Sequence, residues 1–284
     1  MNSSGLSRRQ AGAAALTAAG LPVFRSCCGV SWPWVLLGAS AAALTLDVLS
    51  IWTARSERGS LRVPPMLPLL GALWAARESN YAFPETAGSA LAAVLVLLLG
   101  LAAAWRGAEA LGRCAGILLW VTGALYGSVL LFSLPQLRPE RLTPAGSPVQ
   151  ALRVWLSLLP PGAALCLPAE GERSKALRWP WWAAAGAALA ASLVTNGLLS
   201  PPIAAEPEPF RTLARGVSVL GVIRRFEALG NGAMLMSGFS LCALLLTAAL
   251  SCMDRNPKQN RTKHRAQKSF GKMKKSVDKW GTWC

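Results

Sequence analysis

The sequence is poor in the residues on which most enzymes and soluble domains depend. It holds one histidine, His264, and two tyrosines among 284 residues. Charged residues make up 15% of the chain, against about a quarter in a soluble domain. The lone histidine lies in a run of lysines and arginines, where it is solvated and offers no general base. No nucleophile–base arrangement and no phosphate-binding glycine loop accompany it. The chain therefore reads as a protein that is not an enzyme and needs no cofactor. Its cysteines (Cys27, Cys28, Cys114, Cys166, Cys242, Cys252 and Cys284) include no C-x-x-C pair. Most fall in apolar runs, which points to small packing residues and away from disulfides or a metal site. The apolar stretch Ala11 to Phe24 lacks an A-x-A-like cleavage site and reads as a short first span, not a signal peptide.

Apolar sequence is what the chain has in plenty, with 53% of residues hydrophobic. A hydrocarbon core is crossed by about 20 helical residues. Uncharged runs long enough for this are Thr86–Trp105, Cys114–Leu137, Trp179–Ala205 and Ala228–Met253, with Pro33–Trp52 interrupted only by Asp47. Only helices or closed barrels satisfy backbone groups in lipid, and these lengths predict helices. The expected fold is all-α, a polytopic membrane bundle. Eight spans are expected near 10–24, 33–53, 63–77, 86–105, 114–134, 150–168, 179–199 and 229–252. The third, "VPPMLPLLGALWAA", is short enough to be re-entrant or interfacial instead.

Charge placement suggests an orientation. The net charge is +16. With both termini on the cytoplasmic side, 20 Lys and Arg fall inside and 9 outside, the sign the positive-inside rule requires. Ten of them lie in residues 253–284, a basic tail read as cytoplasmic and drawn to anionic lipid. No aromatic-interleaved fold accompanies that charge, so nucleic acid is not expected as a partner. Residues 1–252 form the bundle and 253–284 the tail. Tryptophans such as Trp32, Trp52, Trp105 and Trp179 gather at span ends, as in an aromatic belt. Between the last two spans, "RTLARGVSVLGVIRRF" has the spacing of an amphipathic surface helix.

Four features inside the spans carry chemical information. In "RGAEALGRCAG", Arg106, Glu109 and Arg113 are spaced three and four apart, which would place them on one helix face as structural ion pairs. Gly112-x-x-x-Gly116 and Gly123-x-x-x-Gly127 offer small faces for helix packing. Asp47 is an acid within a span, where a charge costs roughly 3 kcal/mol. It is open to two readings, a proton or cation site and a structural hydrogen bond. The sixth span contains Pro160-Pro161-Gly162, which removes donors and should interrupt the helix near 159–162. The first span has a second interruption at Gly20 and Pro22. Broken helices at positions one and six are the device by which inverted-repeat transporters expose backbone to a small ligand.

Five stretches, in order, resemble the spore germination permease family, the membrane B subunit of nutrient germinant receptors within the amino acid–polyamine–organocation transporter superfamily. "LSRRQAGAAALTAAG" resembles its S-x-R-Q entry into the first helix. "FPETAGSALAAVLVLLLGLAAAWRGAEALGRCAGIL" resembles a P-x-T entry, an apolar helix and R/K-G-x-E-x-x-x-R. "LPQLRPERLTP" resembles the loop after the fifth helix, and "LLPPGAALCLPAE" its broken sixth helix. "EPEPFRTLARGVSVLGVIRRFEALGNGAMLMSGF" resembles the Pro-Phe segment and the R-x-E-A-L that opens the eighth helix. The likeness covers most of residues 6–252. It departs where the family has an acid after the sixth-helix glycine, since Ala163 stands there, and where two more family helices would follow.

The resemblance implies a transporter-like inverted-repeat fold and a receptor that binds a small polar nutrient such as an amino acid. It implies a place in the bacterial spore inner membrane beside an ion-conducting A subunit and a lipoprotein C subunit. By position, the ligand would meet Thr17 and Gly20 in the first helix, Pro160, Pro161 and Gly162 in the sixth, and Asn231 and Ser237 in the eighth. A secondary amino acid transporter and a non-transporting structural subunit are the other classes that fit.

Overall fold

The computed structural model describes residues 6–55, 61, 63–79, 88–142, 144, 146–167, 177–199, 209–216 and 227–254. These form an all-α bundle: α1 (Arg8–Pro22), α2 (Trp32–Arg55), α3 (Met66–Ser79), α4 (Gly88–Arg106), α5 (Ala108–Ser133), α6 (Val149–Ser157), α7 (Trp179–Leu198), α8 (Pro209–Gly216) and α9 (Glu227–Asp254). Helices stand at all eight expected positions, with α8 as a short ninth. Four helical stretches are long and apolar enough to cross a membrane: Trp32–Arg55, Ala108–Gln136, Val149–Cys166 and Glu227–Met253. The basic tail from residue 255 lies outside the described residues, as do His264 and Cys284.

The two ends of the bundle can be told apart by their contacts. Toward one end Arg178, just before α7, pairs with Asp47 in the second half of α2, and the Leu61 N–H donates to the Leu165 carbonyl at 2.9 Å. At the other end Arg25, after α1, pairs with Glu78 near the end of α3. There too the Arg138 N–H donates to the Gly197 carbonyl at 3.0 Å, and Arg211 and Arg215 hold Glu227. Among the segments these contacts reach, α1, α3, α5 and α7 end on one side and α2 and the sixth stretch on the other, as an alternating membrane topology requires.

The interior is built on α1 and α9. A run of alanines makes α1 thin: Ala11, Ala13, Ala14, Ala15, Ala18 and Ala19 are all buried. Ser7 starts the helix with a capping box, its hydroxyl accepting from the Gln10 N–H while the Gln10 side chain accepts from the Ser7 N–H. The "LSRRQ" entry is thus a helix-start signal with a physical role. Helix α9 packs against α1, α3, α4 and α5. Its membrane window is 78% buried, against 22% for that of α5, so α9 is the hub and α5 the rim.

Both expected interruptions are present, in forms the sequence did not specify. Pro22 cannot donate to the carbonyl four residues back, and beyond it the chain widens into a π turn over Val23–Cys27. Helix one is re-wound past Gly20, not unwound there. In the sixth span α6 stops at Ser157 and the chain tightens into a 3₁₀ helix over Pro160–Cys166. Its stretch from Val149 to Cys166 changes winding instead of opening into an extended loop.

The charged corner at Arg106 needs a correction. Gly107 adopts φ +93°, in the left-handed region that suits glycine, and α4 ends there. Arg106 closes α4 while Glu109 opens α5, so the two do not share a helix face. Glu109 and Arg113 do pair, one turn apart on α5.

Candidate ligand cleft

The two re-wound segments meet at one cleft. The π turn contributes Arg25 and Ser26; α6 and its break contribute Arg153, Ser157 and Pro160; α3 contributes Trp74 and Glu78. The cleft is an open one of about 810 Å³, and Gly71 with leucines and valine from α3 and α6 forms the rest of its described wall. Its position follows from local chemistry. The residues three and four beyond Ser157 are both prolines, so no N–H at those positions can reach the Ser157 carbonyl. A helix carbonyl left in this way needs another donor or water. Ser157 lies on the cleft wall.

Charge in the cleft is arranged asymmetrically. Arg25 Nε donates to Glu78 Oε2 at 2.9 Å, with the two side chains only 14% and 17% exposed. Arg153 is exposed and makes no ion pair with any described residue. The exit of the π turn is pinned from behind. The Val30 carbonyl accepts from Ser192 Oγ at 2.7 Å and from Asn196 Nδ2 at 2.7 Å, both on α7. The seat of α6 is set by Gly38 on α2, where a Cβ would strike the Ala151 carbonyl and the Val154 side chain. Trp155 Nε1 donates to Thr45 Oγ1 at 3.2 Å across the same seam.

The opposite face of the π turn enters an aromatic cluster. Phe24 stacks on Tyr126 at 3.8 Å between ring centroids, and Phe210 meets both rings, at 4.7 and 5.6 Å. Here the structure brings together two of the expected ligand residues. A Cβ on Gly20 would run into Ser237 Oγ and the Tyr126 ring. The hydroxyls of Tyr126 and Ser237 are neighbours, yet neither meets hydrogen-bond geometry with any described residue. The pair sits behind the π turn, not in the cleft.

The remaining expected residues are placed as follows. Pro160 lines the cleft. Pro161 and Gly162 are buried, and a Cβ on Gly162 would meet Leu46 of α2, so that glycine serves packing and presents nothing to the cleft. Thr17 donates to the Ala13 carbonyl at 2.8 Å and lies 3.3 Å from the Ala115 carbonyl, which ties α1 to α5. Asn231 is half-buried in the first turns of α9. Asp47 is buried and gripped by Arg178, whose Nε lies 2.8 and 3.0 Å from the two carboxylate oxygens and whose Nη2 lies 2.8 Å from Oδ2. Those hydrogen bonds, with the carboxylate charge, hold the Arg178 guanidinium above its ordinary pKa. Of the small faces on α5, Gly112 is pressed against Leu6 and Gln10, whereas Gly116, Gly123 and Gly127 face open space. Among the described residues no group of three His, Cys, Asp or Glu is placed to hold a metal ion.

Sequence reasoning missed Arg25, Ser26, Trp74, Glu78, Arg153 and Ser157. The arginines were visible as isolated charges at the ends of apolar runs, but a loop charge and a cleft charge look alike in one dimension. No family model and no curated protein matches this chain.

Proposed function

We propose that the protein is a membrane receptor subunit of the spore germination permease type, which binds a small polar nutrient such as an amino acid in the α3–α6 cleft. The observation that supports this is the convergence of two interruptions, the π turn after α1 and the proline break after α6, on one cleft. Irregular backbone at membrane depth is stable only against protein or a water-filled cavity, and a cleft bordered by Ser26 and Ser157 would give it such a cavity. The apolar helices support residence in a membrane; the spore inner membrane, cytoplasmic termini and association with A and C subunits belong to the proposal. The basic tail would add contact with anionic lipid.

The test is physiological. Spores lacking the gene should lose or slow their response to at least one nutrient, and the intact gene should restore it. Unchanged germination with every nutrient tried would refute the assignment.

A further inference from the structure

The charges that line the cleft narrow the class of ligand it accepts, an inference that rests on the reading of the cleft as a nutrient site. Among the described residues its charged groups are Arg25, Glu78 and Arg153. Arg25 and Glu78 neutralise one another at 2.9 Å. Arg153 is the surplus, a cation on the exposed side of a stretch apolar enough to span a membrane. A cation in that setting is stabilised when an anion reaches it. Leu67, Leu70, Trp74, Leu152 and Leu156 supply an apolar wall beside it.

We infer that the cleft takes a small organic monoanion, with its carboxylate on the Arg153 guanidinium and an apolar body against the Trp74–leucine wall. A zwitterion of the same skeleton carries an ammonium that would have to break the Arg25–Glu78 pair to find a carboxylate, or lie unbalanced. An arginine fork fits a carboxylate with two parallel hydrogen bonds, which gives orientation as well as affinity. The surplus charge therefore selects the anion and the wall selects the body.

A matched series of probes tests this on the full chain in zwitterionic micelles, read by thermal midpoint against ligand concentration. The probes are 4-methylpentanoate, its α-amino zwitterion leucine, and 4-methylpentanamide, which share one carbon skeleton. The expected result is half-saturation by 4-methylpentanoate at a concentration about tenfold or more below that of leucine, the cost of one ammonium left without a partner, with no shift from the amide, which lacks the carboxylate for Arg153. Arg153→Gln should abolish the preference, and Arg153→Lys should retain part of it, which covers the case in which the Gln variant does not fold. Leucine binding as well as or better than the anion would overturn the monoanion assignment and leave the nutrient site standing. An Arg153-dependent shift from phosphatidylglycerol, with none from any soluble probe, would make the cleft a lipid seat and overturn both. A preference for the anion unchanged in Arg153→Gln would also sink the inference.

Discussion

Substituting Gly38 by alanine tests the packing that shapes the cleft. Two effects oppose each other. Alanine in a helix is favoured over glycine by about 1 kcal/mol. Against this, the new methyl at Gly38 meets the Ala151 carbonyl and the Val154 side chain, and overpacking of a close seam costs about 1–3 kcal/mol. The obstacle includes a backbone carbonyl, which cannot rotate away as a side chain can, so the upper half of that range applies. The net expectation is a destabilisation of about 1–2 kcal/mol. Gly116→Ala is the matched control, since nothing lies within 4 Å of its Cβ position. It should gain about 0.5–1 kcal/mol from propensity and a stiffer unfolded chain. Thermal unfolding of both variants in one micelle composition gives the comparison, and hydrogen exchange over residues 149–157 should rise in Gly38→Ala alone. Equal midpoints for the two variants would refute the claim that α2 and α6 are in backbone contact at Gly38.

Other outcomes follow from single groups. Tyr126→Phe removes a buried hydroxyl that meets hydrogen-bond geometry with no described residue, its neighbour Ser237 included, and should leave stability unchanged or raise it by about 1 kcal/mol in thermal unfolding; a clear loss would mean that the hydroxyl is bonded. Asn196→Ala should cost about 1 kcal/mol and speed amide exchange at the exit of the π turn, because one of two donors to the Val30 carbonyl is lost. Arg178→Ala should lower the midpoint by leaving the Asp47 carboxylate buried, and adding Asp47→Asn in that background should recover part of the loss; additive effects in this cycle would exclude the ion pair as a stabilising contact. Maleimide applied to the folded protein should label Cys114, which is exposed, and spare Cys27, Cys28, Cys166 and Cys242, which are buried.

Much of the fold is legible in one dimension because the membrane imposes lengths. Runs such as Pro33–Trp52 and Ala228–Met253 are apolar over the needed span, and α2 and α9 lie there. Proline chemistry is local, so the interruption at Pro160-Pro161 could also be read directly. What the broken helix became could not be read. Whether a freed stretch unwinds, tightens to 3₁₀ or widens to π depends on what packs against it, and Leu46 against Gly162 is a contact between residues far apart in the chain. The Arg106–Glu109 spacing misled for a smaller reason. One glycine at positive φ between them ends a helix, and helical spacing has no meaning across that point. The cleft charges were hidden because Arg25 and Glu78 come from different helices, and only the fold places them 2.9 Å apart. Gly20 and Ser237 were singled out and do meet, yet Tyr126, the member of the aromatic cluster that touches them, carried no signal in the sequence.

The place of α9 in the chain bears on how the bundle is made. It is the last of the described helices, and α1, α3, α4 and α5 all lean on it. While a ribosome is still short of residue 227, those earlier helices can already sit in the bilayer but have no common neighbour to close around. During that interval the hydroxyls of Ser79 and Tyr126, which end up in the interior beside α9, face lipid or whatever insertion factor holds the nascent helices. Closure of the described bundle therefore waits on one late event, the arrival of a single 28-residue helix. Any slowing of translation before that helix lengthens the time the half-built bundle is open to degradation.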